Sequence, residues 1–110
     1  MRIQDAASVA PQPVQEGVQI RWLLTEADGA PNFAMRLIEI QPDVVFEPHQ
    51  HPYEHEIYVL EGAGVVTDQE GDVGPMVPGS SLLVNPDEVH GYRNPGDVTL
   101  KFICVIPLQN

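Results

Sequence analysis

The stretch HQHPYEH, His49 to His55, holds three of the chain's four histidines, and the fourth, His90, stands downstream in NPDEVHGYRN. Neutral imidazole is the commonest protein ligand for first-row transition metals. On a strand, residues i and i+2 share a face about 6.5–7 Å apart, so His49 and His51 project together as a chelating pair. Pro52 cannot donate to a strand ladder, which predicts a break and a bend at that point. His55 then heads a new strand and shares the parity of Ile57 and Val59, the apolar and therefore inward-facing side. His90, placed after the Pro86 turn, closes the set from another strand. The bland account is a polar loop with surface histidines. It leaves unexplained why no histidine occurs outside this stretch and its companion.

Other residues carry weaker chemistry. Arg36, inside FAMRLIEI, is the candidate catalytic residue, a guanidinium clamp offering bidentate hydrogen bonds to a substrate carboxylate. The alternative is a surface cation paired with one of the sixteen Asp and Glu. Strand parity does not choose, because Arg36 and Glu39 put one charge on each face. Glu56 competes with His55 as a ligand, but parity turns it outward with Tyr58. Tyr53, Glu54 and Tyr92 flank the histidines and read as rim positions. Cys104, in LKFICVIP, reads as a buried structural thiol. There is no GxSxG, phosphate-binding loop, dinucleotide fingerprint or Cys–His nucleophile pair.

The elements that must hold these residues are short strands. Eleven Pro and nine Gly cut the chain into pieces. VQIRWLLT (residues 18–25) alternates Val18, Ile20, Trp22 and Leu24 against polar neighbours, apart from Leu23, the period of a half-buried strand. FAMRLIEI, HEIYVLE, GVVT, SLLVN and TLKFICVI supply further strands. The GAG after HEIYVLE is a natural hairpin turn, because glycine tolerates positive φ. No stretch has a sustained helical period with caps. The fold class is all-β, a sandwich or barrel. Phe46, Phe102, Met35 and Trp22 are expected in the core or the pocket wall.

At 110 residues the chain is expected to be one domain. Folding buries roughly 65% of the unfolded surface, and 43% hydrophobic against 19% charged residues argues for a packed core. Residues 1–17 read as an N-terminal arm or edge strand and residues 18–110 as the barrel. The formal charge of −11 repels phosphate backbones and anionic lipid, which argues against nucleic acid and membrane as partners. The single cysteine allows no intrachain disulfide. No apolar run nears the ~18 residues of a membrane span, and no signal-peptide pattern opens the chain, so the cytoplasm is the expected compartment.

The two histidine regions resemble the cupin superfamily, whose motifs read G(X)5HXH(X)3,4E(X)6G and G(X)5PXG(X)2H(X)3N. His49, His51 and Gly62 fall on their places in the first motif, with His55 at the glutamate position. Gly79, His90 and Asn94 fall on theirs in the second. Asp43, Asn85 and Asp87 replace a glycine, a proline and a glycine at turn positions, where Asp and Asn also adopt permissive backbone angles. The resemblance spans about residues 18–107 and implies a single-domain cupin barrel, the double-stranded β-helix or jelly roll. It implies one divalent transition metal (Mn, Fe, Ni, Co, Cu or Zn) held by His49, His51, His55 and His90. The family's usual carboxylate ligand would then be a fourth imidazole, as in small oxalate-decarboxylase-like cupins.

Four imidazoles on a six-coordinate metal leave two positions for water, a bidentate carboxylate or dioxygen; a tetrahedral zinc with the same ligands would be closed and structural. Two functions follow from the resemblance. One is a metal-dependent lyase or dioxygenase acting on a small carboxylic acid or oxygenated organic molecule. The other is a non-catalytic cupin that binds or senses a small ligand, with a structural or ligand-anchoring metal. A homodimer is also expected, because small cupins commonly pair and Val9 to Val14 and VQIRWLLT are open-edge candidates.

Overall fold

Short alternating strands account for nearly all the regular structure. The structure, a computed structural model, describes residues 1–109. The strands are β1 (Gln12–Gln15), β2 (Val18–Leu24), β3 (Phe33–Ile40), β4 (Val45–His49), β5 (His55–Glu61), β6 (Gly64–Asp68), β7 (Gly71–Met76), β8 (Ser81–Val84), β9 (His90–Arg93) and β10 (Leu100–Pro107). Two short 3-10 turns, Ala6–Ser8 and Glu26–Asp28, complete the set. Among the described residues, no helix is long and apolar enough to cross a membrane.

The strands form two antiparallel sheets. One runs β1-β2-β3-β10-β5-β8 and the other β4-β9-β6-β7. In β10 burial alternates without exception, and Leu100, Phe102, Cys104 and Ile106 face inward. They meet Ile20, Ile38, Ile57 and Val59 of the same sheet and Val66, Met76 and Tyr92 of the other. Fully burying a side chain such as Phe102 or Leu100 contributes ~1.5–3 kcal/mol, so this double layer is the main stabilising element.

Prolines explain which strands lie outermost. Pro13, Pro48 and Pro75 sit in β1, β4 and β7, and each of these strands is at a sheet edge, where a missing N–H breaks no ladder. The turns also follow backbone chemistry. Asp43 (φ 65°) and Asp87 (φ 64°), which replace motif glycines, both adopt the left-handed region that Asp tolerates better than most residues. Gly62 (φ 88°) has a second constraint, since a Cβ there would stand 2.8 Å from the Thr99 carbonyl oxygen.

The N-terminal segment folds back on its own chain. β1 pairs with β2, and the residues before it are held by polar contacts. Arg21 donates to the Val9 carbonyl at 2.6 Å, and Arg2 pairs with Asp28 at 3.0 Å. On the same outer side Arg21 pairs with Glu39 at 2.9 Å. Met35 faces this side too, lining a groove with Ile3, Leu23 and Leu24 instead of joining the core. Its odd position in β3 opposes it to Arg36, and that parity decides the reversal.

Candidate metal centre

β3 presents Ala34, Arg36, Ile38 and Ile40 to the interior. Arg36 and Glu39 are each 8% exposed, but Glu39 lies on the opposite side of the sheet, paired with Arg21. The surface-cation account of Arg36 fails on this placement. Arg36 stands opposite Cys104 of β10 and Trp22 of β2, with its guanidinium carbon 5.4 Å from the indole centroid. Among the described residues it has no acidic partner within ion-pair distance.

The histidines come from both sheets. His49 ends β4 directly opposite His90, which begins β9. Gly91 permits that approach, since a Cβ there would lie 2.7 Å from the Phe46 carbonyl oxygen and 2.8 Å from the Pro48 nitrogen. The strand ends at His49, so His51 projects from the loop before β5. That loop is anchored by the Asp87 N–H, which donates to the His51 carbonyl at 2.6 Å. His55 opens β5 as its parity required, 3% exposed, whereas Glu56 is exposed.

The four rings converge. Centroid separations are 4.4 Å for His49–His90, 4.8 Å for His49–His51, 5.1 Å for His51–His55 and 4.9 Å for His55–His90. His49, His51 and His90 each offer a ring nitrogen within 4.8 Å of the others. That clustering is compatible with a metal site, and because two imidazole nitrogens on one zinc ion lie at most about 4.2 Å apart, twice the metal–nitrogen bond, a bound ion would draw the widest-spaced pair closer. His55 stands beside it, stacked on His51 at an interplanar angle of 7°.

Hydrogen bonds assign the tautomers. His49 Nδ1 is 3.0 Å from the Glu47 carbonyl oxygen and His90 Nδ1 is 2.8 Å from that of Glu88. A carbonyl only accepts, so both Nδ1 atoms carry the proton and both Nε2 lone pairs are free. His55 Nδ1 lies 3.4 Å from Cys104 Sγ, which also accepts from Arg36 at 2.9 Å. Burial, then the Arg36 charge, pushes His55 down to about 3. Burial likewise lowers His51, reinforced by the neighbouring His49, and lowers His90 against the opposing Glu88 carbonyl bond. These three rings therefore stay neutral near pH 7, the state that can ligate a cation. Burial also raises the Cys104 thiol, despite Arg36, and the Tyr92 phenol.

Arg36, His49, His51, Tyr53, His55 and Tyr92 line one cavity of about 210 Å³, walled by Ile20, Ile38 and Phe46. His90 lies instead in the wall of a second cleft, of about 410 Å³, bordered by Val66, Leu82 and Val84. Among the described residues, the buried side-chain nitrogen and oxygen atoms without a hydrogen-bond partner are Arg36 Nε, His55 Nε2, His90 Nε2 and Tyr92 Oη. All four belong to this histidine and arginine cluster. Buried polar atoms in native folds are nearly always satisfied by protein or water, so these four atoms are open to a partner. Tyr92, expected at a rim, is 2% exposed in the interior. Its position two residues after His90, on the same strand face, was the signal that could have placed it.

Comparison with known proteins agrees with the geometry. The family model Cupin_2, described as a cupin domain, matches residues 36–106. Polyketide synthase CurC of Streptomyces cyaneus is 31% identical over 104 residues, covering 93% of this chain; the chain spans 66% of CurC's length. The solved structure of the polyketide cyclase RemF from Streptomyces resistomycificus superposes with a TM-score of 0.91 at 29% identity, covering 99% of this chain and 80% of that one. A structure described as a predicted oxalate decarboxylase from Thermotoga maritima does so with a TM-score of 0.82 at 27% identity, covering 98% and 100%.

Proposed function

The chain belongs to the Cupin_2 family of cupin domains, and from that membership we propose a metal-dependent enzyme acting on a small carboxylic acid or similarly oxygenated organic molecule. His49, His51, His55 and His90 would hold one divalent ion. An all-nitrogen set suits Fe, Co, Ni, Cu or Zn, with Mn open through cellular availability. When bound, the ion supplies Lewis acidity to a ligand oxygen.

The observation that carries this reading is the buried Arg36 guanidinium, without an acidic partner among the described residues, in the same cavity as His49, whose Nε2 lone pair is free. A buried unpaired charge is costly, and an incoming carboxylate offsets that cost while satisfying Nε–H. The chain's own residues thus bind and orient an anion. Ile20, Ile38 and Phe46 give it an apolar wall, which strengthens each polar contact. The names of the similar proteins point to different chemistries, polyketide cyclisation and oxalate decarboxylation, so the cavity is the better guide to substrate. At about 210 Å³, it is smaller than the ~300–1,000 Å³ typical of ligand pockets.

One observation favours a second reading, a binding or sensing cupin without turnover. Among the described residues the cavity wall contains no carboxylate to act as a base, and Glu47, Glu54 and Glu56 are exposed. Loading metal-free protein with Co(II) and titrating oxalate tests the site, and product analysis separates the two readings. We expect a metal-dependent spectral change at millimolar acid or below. An unchanged spectrum would turn the account toward a closed structural site.

We also infer a homodimer. Tyr58, Leu60 and Leu83 leave an exposed apolar face on the six-stranded sheet, and the outer edge of β1 is free to be extended by a second copy. The charge of −11 argues against nucleic acid and membrane partners. The cytoplasm remains the proposed compartment.

A further inference from the structure

Tyr92 has a hydroxyl that packing does not require. Its ring lies against Phe102, His90 and Phe46 at centroid distances of 5.0, 5.9 and 5.9 Å, and a phenylalanine would fill the same space. The residue is 2% exposed, and its oxygen has no hydrogen-bond partner among the described residues. An unpaired buried hydroxyl costs free energy, and such costs persist where function uses the group.

The unsatisfied atoms of the cluster differ in kind. His90 Nε2 is a lone pair that attracts a cation, because its Nδ1 donates to the Glu88 carbonyl. Arg36 Nε–H and Tyr92 O–H are donors that need an acceptor. The nearest acceptor Arg36 has found is the Cys104 sulfur, a weak one.

We propose that Tyr92 and Arg36 form an oxygen-recognition subsite separate from the imidazoles, with Tyr92 setting specificity. The ligand then carries two oxygen functions: one faces the histidine cluster, and the other accepts from Tyr92 Oη and Arg36 Nε. This rests on the metal-centre reading for one end of the ligand only. A site built to donate to a substrate oxygen rejects analogues lacking it, because its buried donors are then left unpaired.

The test compares wild type and Tyr92→Phe, both Co(II)-loaded, by visible spectroscopy, with malonate as the two-ended probe and azide as the metal-only probe. Metal content and the thermal midpoint of the metal-free proteins are measured alongside. We expect Tyr92→Phe to bind malonate about tenfold more weakly, the effect of one lost hydrogen bond, with azide affinity and metal content unchanged. The metal-free variant should melt at or above the wild-type temperature. Equal malonate affinity, or equal weakening of both probes, would overturn the proposal, as would a lower melting temperature. A wild type that answers to azide but not malonate overturns this inference alone. One that binds no metal overturns the metal-centre reading and this inference with it.

Discussion

Acid should unfold the metal-free protein through His55. The residue is 3% exposed, and burial plus the Arg36 charge holds its folded value at about 3, against an ordinary 6.5. Between those values the unfolded chain binds a proton that the folded chain does not, so stability rises with pH across that window. The contribution is complete above about 6.5 and is lost progressively as pH falls toward 3. From about pH 7 to about pH 5 the loss is about 2 kcal/mol for this residue alone. His51 and His90, also lowered, act in the same direction. Urea unfolding with a chelator present, at both pH values, measures it in wild type and in His55→Gln, whose side chain does not titrate. Wild type should lose about 2 kcal/mol more than the variant. Equal losses would refute the reasoning, because His55 would then titrate as it does in water.

Three further outcomes are expected. His55→Ala should lower metal occupancy far more than Glu56→Ala, since His55 faces the cluster and Glu56 faces solvent; equal occupancy by elemental analysis would remove His55 from the ligand set. Arg36→Met should weaken dicarboxylate binding by about 1.5–3 kcal/mol, the range for hydrogen bonds to charged groups, read by calorimetry. It should not destabilise the metal-free fold, because it removes an unpaired buried charge. Light scattering should give twice the 12.1 kDa chain mass, and Leu83→Lys, on the exposed apolar face, should shift it toward monomer; a wild-type monomer mass independent of concentration would exclude the dimer.

The β-rich runs were legible in the sequence: VQIRWLLT, FAMRLIEI, HEIYVLE, GVVT, SLLVN and TLKFICVI correspond to β2, β3, β5, β6, β8 and β10. β7 was not, and of β4 only a strand through His49 and His51 to Pro52 was expected, whereas it ends at His49; VFEPH and GDVGPM contain proline or glycine that local reading treats as a break. Only pairing at a sheet edge makes them strands. β9, four residues with Gly91, is too short for any period. At the site, parity distinguished His55 from Glu56 because Ile57 and Val59 continue its row. It failed for Arg36, since each face of β3 carries one charge and only the Arg21–Glu39 pair shows which face is outside. Tyr92 was missed for a related reason: its neighbours are polar, and burial comes from Phe102 and Phe46, distant in sequence.

The central claim is that the four imidazoles hold one metal ion. Its most direct test is the metal content of protein purified without chelator or added metal, with His49→Ala prepared in parallel. The account predicts about one transition-metal ion per chain in wild type and a large loss in the variant, because a ligand must be a free, neutral imidazole. A folded wild type with negligible metal that takes up none on addition, or a variant that retains its full complement, would contradict it.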